Sequence, residues 1–143
     1  MASIAALLER IRRDPVLSDA LCHERLLPER DATWSDLPAG FELLKPVLER
    51  RGIERPYVHQ ARALERLGRG ENVALVTPTA SGKTLVYNLP ALRAALADPP
   101  GHALYLFPLK ALARDQKQPL EADAAALGVP VDVAIYDGDT PQG

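Results

Sequence analysis

The sequence predicts an α/β protein, a parallel sheet with helices on its faces, preceded by a helical segment. Three observations carry that prediction. Beyond residue 71, short apolar runs alternate with longer helical patterns, the order that gives βαβ units with right-handed crossovers. The first run, Val73-Ala74-Leu75-Val76, passes through Thr-Pro-Thr-Ala-Ser-Gly-Lys-Thr at 77–84 into a helical stretch, which is the strand-loop-helix order of a phosphate-binding loop. The residues before 53 read instead as helices joined by an irregular connection.

Taken in order, Ser3 caps a first helix. Ile4, Leu7, Leu8 and Ile11 fall on one face of it, and Asp14-Pro15 ends it. Residues 28–40 hold Pro28, Pro38 and Gly40 together with Asp31, Ser35 and Asp36, the composition of a connection. Trp34 and Leu37 are expected to pin that connection to a core. A second helix runs from about Phe41 to Arg51, with Pro46 kinking it or moving its start, and Gly52 stops it. Pro56 opens a third helix, Tyr57 to Leu67. Strands are expected at 72–76, 102–107 and 131–136. Helices are expected from about Gly82 to Ala97 and from about Lys110 to Leu127, the latter interrupted near Pro119. The division is 1–52 as a helical lead-in and 53–143 as the front part of a nucleotide-binding domain. Three strands are few for such a sheet, so the expectation is an incomplete domain.

Composition bounds the function classes. With 143 residues, 47% hydrophobic and 25% charged, the chain suits one globular domain. No apolar stretch is long enough to span a membrane. Met1 to Leu8 lacks a basic start and a cleavage-type ending, which predicts a cytoplasmic protein. Cys22 is the single cysteine, so neither an internal disulfide nor a cysteine-based metal cluster is available. The net charge of −2 excludes binding of nucleic acid by bulk charge, leaving only local contacts.

The loop at 77–84 makes a nucleoside triphosphate the leading ligand. Backbone N–H groups of the turn after the strand would face phosphate oxygens, and the helix starting near Gly82 adds its positive end. Lys83 would reach the β- and γ-phosphates and the Thr84 hydroxyl would hold Mg2+. The general pattern starts with Gly, and here that position is Thr77. Gln60 lies 23 residues before Lys83, on the preceding helix. A Gln amide pairs with both the donor and the acceptor of one adenine edge, so Gln60 is the candidate base reader, with the role of His59 open. Pro108, Leu109 and Lys110 follow the second strand, at the sheet end where ligands sit. The free N–H groups of the next helix could take a nucleic-acid phosphate there. At the third strand end, Asp137 suggests either a Mg2+-holding carboxylate or a substrate-facing turn around Gly138. The arginine groups 12–13, 50–51 and 62, 66, 69 read as solvated faces offset by neighbouring acids.

Together these pieces resemble the superfamily 2 DNA helicases of the DExH type, with RecA-like motor domains. The nearer likeness is to the bacterial mitomycin-repair-factor helicases and the related RecQ-like helicases of fungi. It is carried by Gly52-Ile53, Tyr57-Val58-His59-Gln60, the loop with Leu85 to Pro90, Ala103 to Pro108 with Lys110 to Ala113 and Asp115-Gln116, and Tyr136 to Thr140. His23-Glu24 and Leu27-Pro28 match the family's lead-in. The resemblance implies ATP and Mg2+ as cofactors and DNA as partner. It implies Gln60 as the adenine-reading motif, Thr79 to Thr84 as the phosphate motif, Pro108 to Ala113 as a DNA-backbone motif and Gly138, Asp139 and Thr140 as a further strand contact. It also implies ATP-driven 3′→5′ unwinding in repair. No adjacent Asp-Glu pair occurs in the chain, so the family's acidic motif is missing, as are its coupling motif, second motor domain and zinc-binding region. The expectation is an N-terminal piece of the first motor domain, inactive by itself. Two rival classes stay open. A small P-loop kinase would want Gly at 77 and an Arg-rich lid. A non-enzymatic remnant would expose apolar surface where the rest of the domain should pack.

Overall fold

The computed structural model describes residues 3–25, 27 and 31–140. They fall into two units, Met1–Asp31 and Ala32–Gly143. Pro28 therefore lies outside the described residues, and so does part of the connection expected around it.

In the first unit, α1 (Ile4–Arg13) starts as expected. The Ser3 hydroxyl accepts from the Ala6 N–H at 3.2 Å, satisfying one of the orphan donors of the first turn. The chain leaves it at Asp14, whose Oδ1 accepts from Val16 and Leu17 at 2.9 and 3.0 Å and so opens a short α2 (Leu17–Ala20). Arg12 bridges Glu9 and Glu24, at 2.7 Å each. The two carboxylates hold its guanidinium above its ordinary pKa. The apolar stripe of α1 is present, but none of its residues is buried.

The described residues of the second unit form a 3-10 turn and four α-helices. Pro46 moves the start of the second predicted helix: a 3-10 turn covers Glu42–Leu44, and α3 (Lys45–Arg50) begins with Pro46 in its first turn, where the missing N–H costs nothing. Next come α4 (Val58–Gly68), α5 (Lys83–Ala95) and α6 (Lys110–Ala126). The expected break at Pro119 is absent. Pro119 lies inside a continuous α6, and the helix is held there by burial of Leu120, Asp123 and Ala124. The core joins Phe41, Leu44, Leu64, Leu85, Leu89 and Leu92, each worth about 1.5–3 kcal/mol on leaving water. Arg93 lies 4.7 Å over the Phe41 ring.

The segments expected as strands at 72–76 and 102–107 lie between these helices and that at 131–136 follows α6, yet no strand forms among the described residues. The only pairing there is an isolated bridge, Trp34 to Tyr57. The segments do alternate in burial with period two. Val73, Leu75, Tyr105, Phe107, Val131, Val133 and Ile135 turn inward. Val76, Leu104, Leu106 and Tyr136 turn out, at 86–95% exposure. That is strand-type patterning without a hydrogen-bonded ladder.

Two expectations about single residues are corrected. Trp34 is no core anchor, being 47% exposed. It stacks on Tyr57 at 4.5 Å, while Leu37 does pack against the core. Arg50 and Arg51 are not simply a solvated face, although Arg50 keeps 38% of its side chain exposed. Both guanidinium groups converge on Asp123 of α6, which is wholly buried, and so fasten α3 to α6.

Candidate functional site: the loop at 77–84 and the start of α6

Local geometry at the loop follows from two backbone positions. Gly82 sits at φ +73° and Ala80 at φ +60°, the left-handed region that costs an L-residue about 1–2 kcal/mol. Strain of that kind collects at functional turns. A Cβ on Gly82 would stand 2.4 Å from Gln60 Nε2, so any other residue would have to push the Gln60 amide off the turn. The turn delivers the chain into α5, whose N-terminus has no side-chain cap. Its first N–H groups remain free for an anion.

Lys83 folds back over the loop. Its Nζ donates to the carbonyls of Thr77 and Pro78 at 2.7 and 2.6 Å, and lies 3.2 Å from Thr77 Oγ1 and 3.4 Å from Ser81 Oγ. All four partners are neutral oxygens, a cage a set of phosphate oxygens could replace. Thr77, the departure from the usual Gly, takes part: its hydroxyl is 2.6 Å from that of Ser81.

α4 is tied to the same turn. Gln60, 3% exposed, uses both ends of its amide inside the protein. Its Oε1 accepts from the Tyr57 N–H at 2.8 Å, and its Nε2 donates to the Gly82 carbonyl at 3.0 Å, with the Ser81 carbonyl at 3.5 Å. His59 Nε2 lies 3.0 Å from the same Ser81 carbonyl. A carbonyl only accepts, so His59 carries its proton on Nε2. Tyr57 stacks between Trp34 and His59, with ring centroids 4.5 and 5.6 Å away. An open cleft of about 520 Å³ beside this stack is lined by Tyr57, His59, Arg62, Val73 and Leu75, and by no residue of the loop itself.

Thr84 occupies the first turn of α5, and its hydroxyl lies 3.1 Å from Tyr87 Oη. Tyr87 was not singled out from the sequence, although three residues along a helix from Thr84 was a usable signal. The residues fit a triphosphate: a cation on neutral oxygens, a glycine approach and free N–H groups. For Mg2+ the fitting side chain here is the Thr84 hydroxyl. No group of three or more His, Cys, Asp or Glu among the described residues could hold a metal. The cation would therefore rest on Thr84 and the phosphates, screening their charge.

Pro108, Leu109 and Lys110 stand at the start of α6, with Leu109 as an N-cap lacking a side-chain hydrogen bond. The structure brings the predicted 138–140 segment to them. Lys110 Nζ is 2.8 Å from Asp139 Oδ1, and Arg114 is 3.3 Å from Asp139 and 3.5 Å from Asp137. The 137–140 turn closes on itself: Asp137 Oδ1 accepts from the Asp139 N–H, and Thr140 Oγ1 from the Asp137 N–H, each at 2.9 Å. Asp137 is thus a turn-former facing Arg114. The two sets that were candidates for nucleic-acid contact form one surface, closed by ion pairs.

Comparison with known proteins matches this geometry. The family model of the DEAD/DEAH box helicases matches residues 57–143, from the Tyr57–Gln60 turn to the end of the chain. The chain is 46% identical over 112 residues to the uncharacterized ATP-dependent helicase YprA of Bacillus subtilis, which covers 78% of it. It is 34% identical to the ATP-dependent helicase HRQ1 of Saccharomyces cerevisiae over 98% of its length. It spans 15% and 13% of those two relatives. A crystal structure of the DUF1998 helicase MrfA bound to DNA and AMPPNP superposes on 88% of the chain with a TM-score of 0.75 and 41% identity, and the chain spans 19% of that protein. A looped lysine over an uncapped helix, a glutamine fastened to the loop and these matches have one common explanation: the chain belongs to the DEAD/DEAH box helicases.

Proposed function

We propose that this chain supplies the nucleotide-binding and part of the DNA-binding surface of an ATP-dependent DNA helicase, one that unwinds 3′→5′ in DNA repair in the cytoplasm. The observation that carries the reading is the joining of α4, the loop and α5 through Gln60, which makes the base side and the phosphate side of a nucleotide site one hydrogen-bonded unit. ATP would bind with its phosphates on Thr79 to Thr84, Lys83 moving from its four neutral oxygens to the β- and γ-phosphates. Thr84 would hold Mg2+, and Gln60 would exchange its loop contacts for the adenine edge. Pro108 to Lys110 and Gly138 to Thr140 would meet the DNA backbone. MrfA in its complex with DNA and AMPPNP is the supporting precedent.

We divide the chain into a helical lead-in, 1–52, and the front of a RecA-like motor domain, 53–143. In that domain the extended segments at 72–76, 102–107 and 131–136 would pair as a parallel sheet. The outward Val76, Leu104, Leu106 and Tyr136 would then be covered by the rest of the motor. The chain has no Asp-Glu pair to orient the attacking water, so the 143 residues alone should bind nucleotide without turning it over.

The test is ATP hydrolysis with and without DNA, for the protein at its native length and for the 143-residue chain. DNA-stimulated turnover at native length, lost in Lys83→Ala, is expected. Robust turnover by the short chain would overturn the division of labour. Phosphate transfer to a nucleoside would replace the helicase by a kinase.

A further inference from the structure

The contact that the proposed nucleotide chemistry leaves unused is the one on Tyr87. Its hydroxyl sits between two oxygens, 3.1 Å from Thr84 Oγ1 and 3.2 Å from Gln116 Oε1. Tyr87 Oη is the donor toward both Thr84 Oγ1 and Gln116 Oε1, so its one proton is shared between them. Gln116 draws that proton away from Thr84, which keeps a Thr84 lone pair available for a cation.

The Tyr87 ring is placed to do this. Tyr105 meets it edge-on, with ring centroids 5.7 Å apart and planes at 78°. Tyr105 in turn is fixed by its own hydroxyl, which donates to Asn88 Oδ1 at 3.3 Å. Burial pushes the Tyr105 phenol up to about 12, so it stays a donor throughout the neutral range. Gln116 lies on α6, the helix whose first turns carry Lys110 and Arg114.

We propose that Tyr87 is a positioning residue for the divalent cation of the bound nucleotide, orienting the Thr84 hydroxyl through a Thr84–Tyr87–Gln116 hydrogen-bond chain that also links the cation site to α6. The proposal rests on the nucleotide reading above and deepens it. Tyr87 does not touch substrate; it acts through Thr84.

The experiment titrates a fluorescent ATP analogue against the protein at its native length, with Mg2+ varied from none to excess. Tyr87→Phe keeps the ring contact and removes only the hydroxyl. Gln116→Met keeps the length of the side chain and removes the acceptor. Each should raise the Mg2+ concentration needed for half-maximal tightening about three- to tenfold, the worth of one neutral hydrogen bond. Affinity for the analogue without Mg2+ should not move. The double variant should shift no further than either single one, because one chain is being cut twice. An unchanged Mg2+ midpoint in either variant overturns the proposal, as does an equal loss of affinity without Mg2+, which would make Tyr87 a structural support of the loop. A protein that binds no analogue, or binds it equally well as Lys83→Ala, removes the nucleotide reading itself and the proposal with it.

Discussion

The two ends of α6 carry the same motif in opposite settings. Near its C-terminus, Arg50 and Arg51 close on Asp123, which has no exposed surface. At its N-terminus, Lys110 and Arg114 close on Asp139, whose side chain is 63% exposed. Each is a pair of cations on one carboxylate. Burial decides what each pair does. A carboxylate out of water cannot be left alone, because an unpaired buried charge costs several kcal/mol. A carboxylate in water can be exchanged for another anion at almost no cost. One end of α6 is therefore a fastening, and the other an exposed pair that another anion could displace.

The strongest test of that contrast is to remove each carboxylate. Asp123→Ala should cost about 2–3 kcal/mol of stability, since two guanidinium groups, 38% and 20% exposed, would lose their shared partner and the α3–α6 fastening with it. Asp139→Ala should stay within about 0.5 kcal/mol of the parent. Chemical denaturation of the two variants side by side measures both. Equal effects would mean that water reaches Asp123 and that the two ends do not differ in kind.

Lys83 offers a third setting for a cation, resting on neutral oxygens alone. A nucleotide need break no ion pair to claim it. What holds the loop ready is the contact of Gly82 with Gln60, and Gly82→Ala tests it. The added methyl meets Gln60 Nε2 at 2.4 Å, at a φ of +73°. The variant should lose about 1–2 kcal/mol of stability through backbone strain and, because Gln60 is pushed off the loop, about tenfold in nucleotide affinity. A titration with a fluorescent ATP analogue checks it. If affinity is retained, the Gln60 contact plays no part in presenting the loop.

Local rules made much of this legible in the sequence. Ser3 at a helix start, Pro46 in a first turn, Gly82 before Lys83 and the run from Lys110 each speak through the backbone of a few neighbouring residues, and α1, α3, α5 and α6 start at or within a residue of where those signals point. The loop residues 79–84 and the separate segments 108–110 and 138–140 were picked out by their order along the chain; that Lys110 meets Asp139 was not. Long-range partnerships stayed hidden. Nothing local tells Arg50 and Arg51 that Asp123, more than seventy residues away, will share their seam. Asp123 stands in the alanine-rich stretch Ala122 to Ala126, the one hint that it would be buried. Pro119 was read as a break because a local rule was applied where packing of Leu120 and Asp123 prevails. The strand segments show the opposite limit. Their alternation was readable, but a ladder needs partners across the sheet, and alternation alone does not provide them.

The smallest expected effect is the most specific to the N-terminal end of α6. Asp139→Asn keeps the shape of the 137–140 turn, whose closing bonds run through Asp137 and Thr140, while freeing Lys110 and loosening Arg114. If Asp139 covers a DNA path, affinity for a fluorescent single strand should rise about threefold at low salt. The gain should shrink as salt rises, since exposed charges farther apart than about 10 Å are screened by 0.1 M salt. Lys110→Ala should act in the opposite direction, weakening binding at every sequence and lowering the salt slope by about one. Anisotropy titrations at several salt concentrations separate these outcomes. Asp139→Asn binding DNA no better than the parent at low salt, with Lys110→Ala unchanged in slope, would place the DNA elsewhere and leave the ion pairs at this end of α6 as simple surface pairs. A gain in the first with a lost slope in the second would identify Asp139 as a carboxylate that a DNA phosphate replaces, which is what its exposure, against the burial of Asp123, leads one to expect.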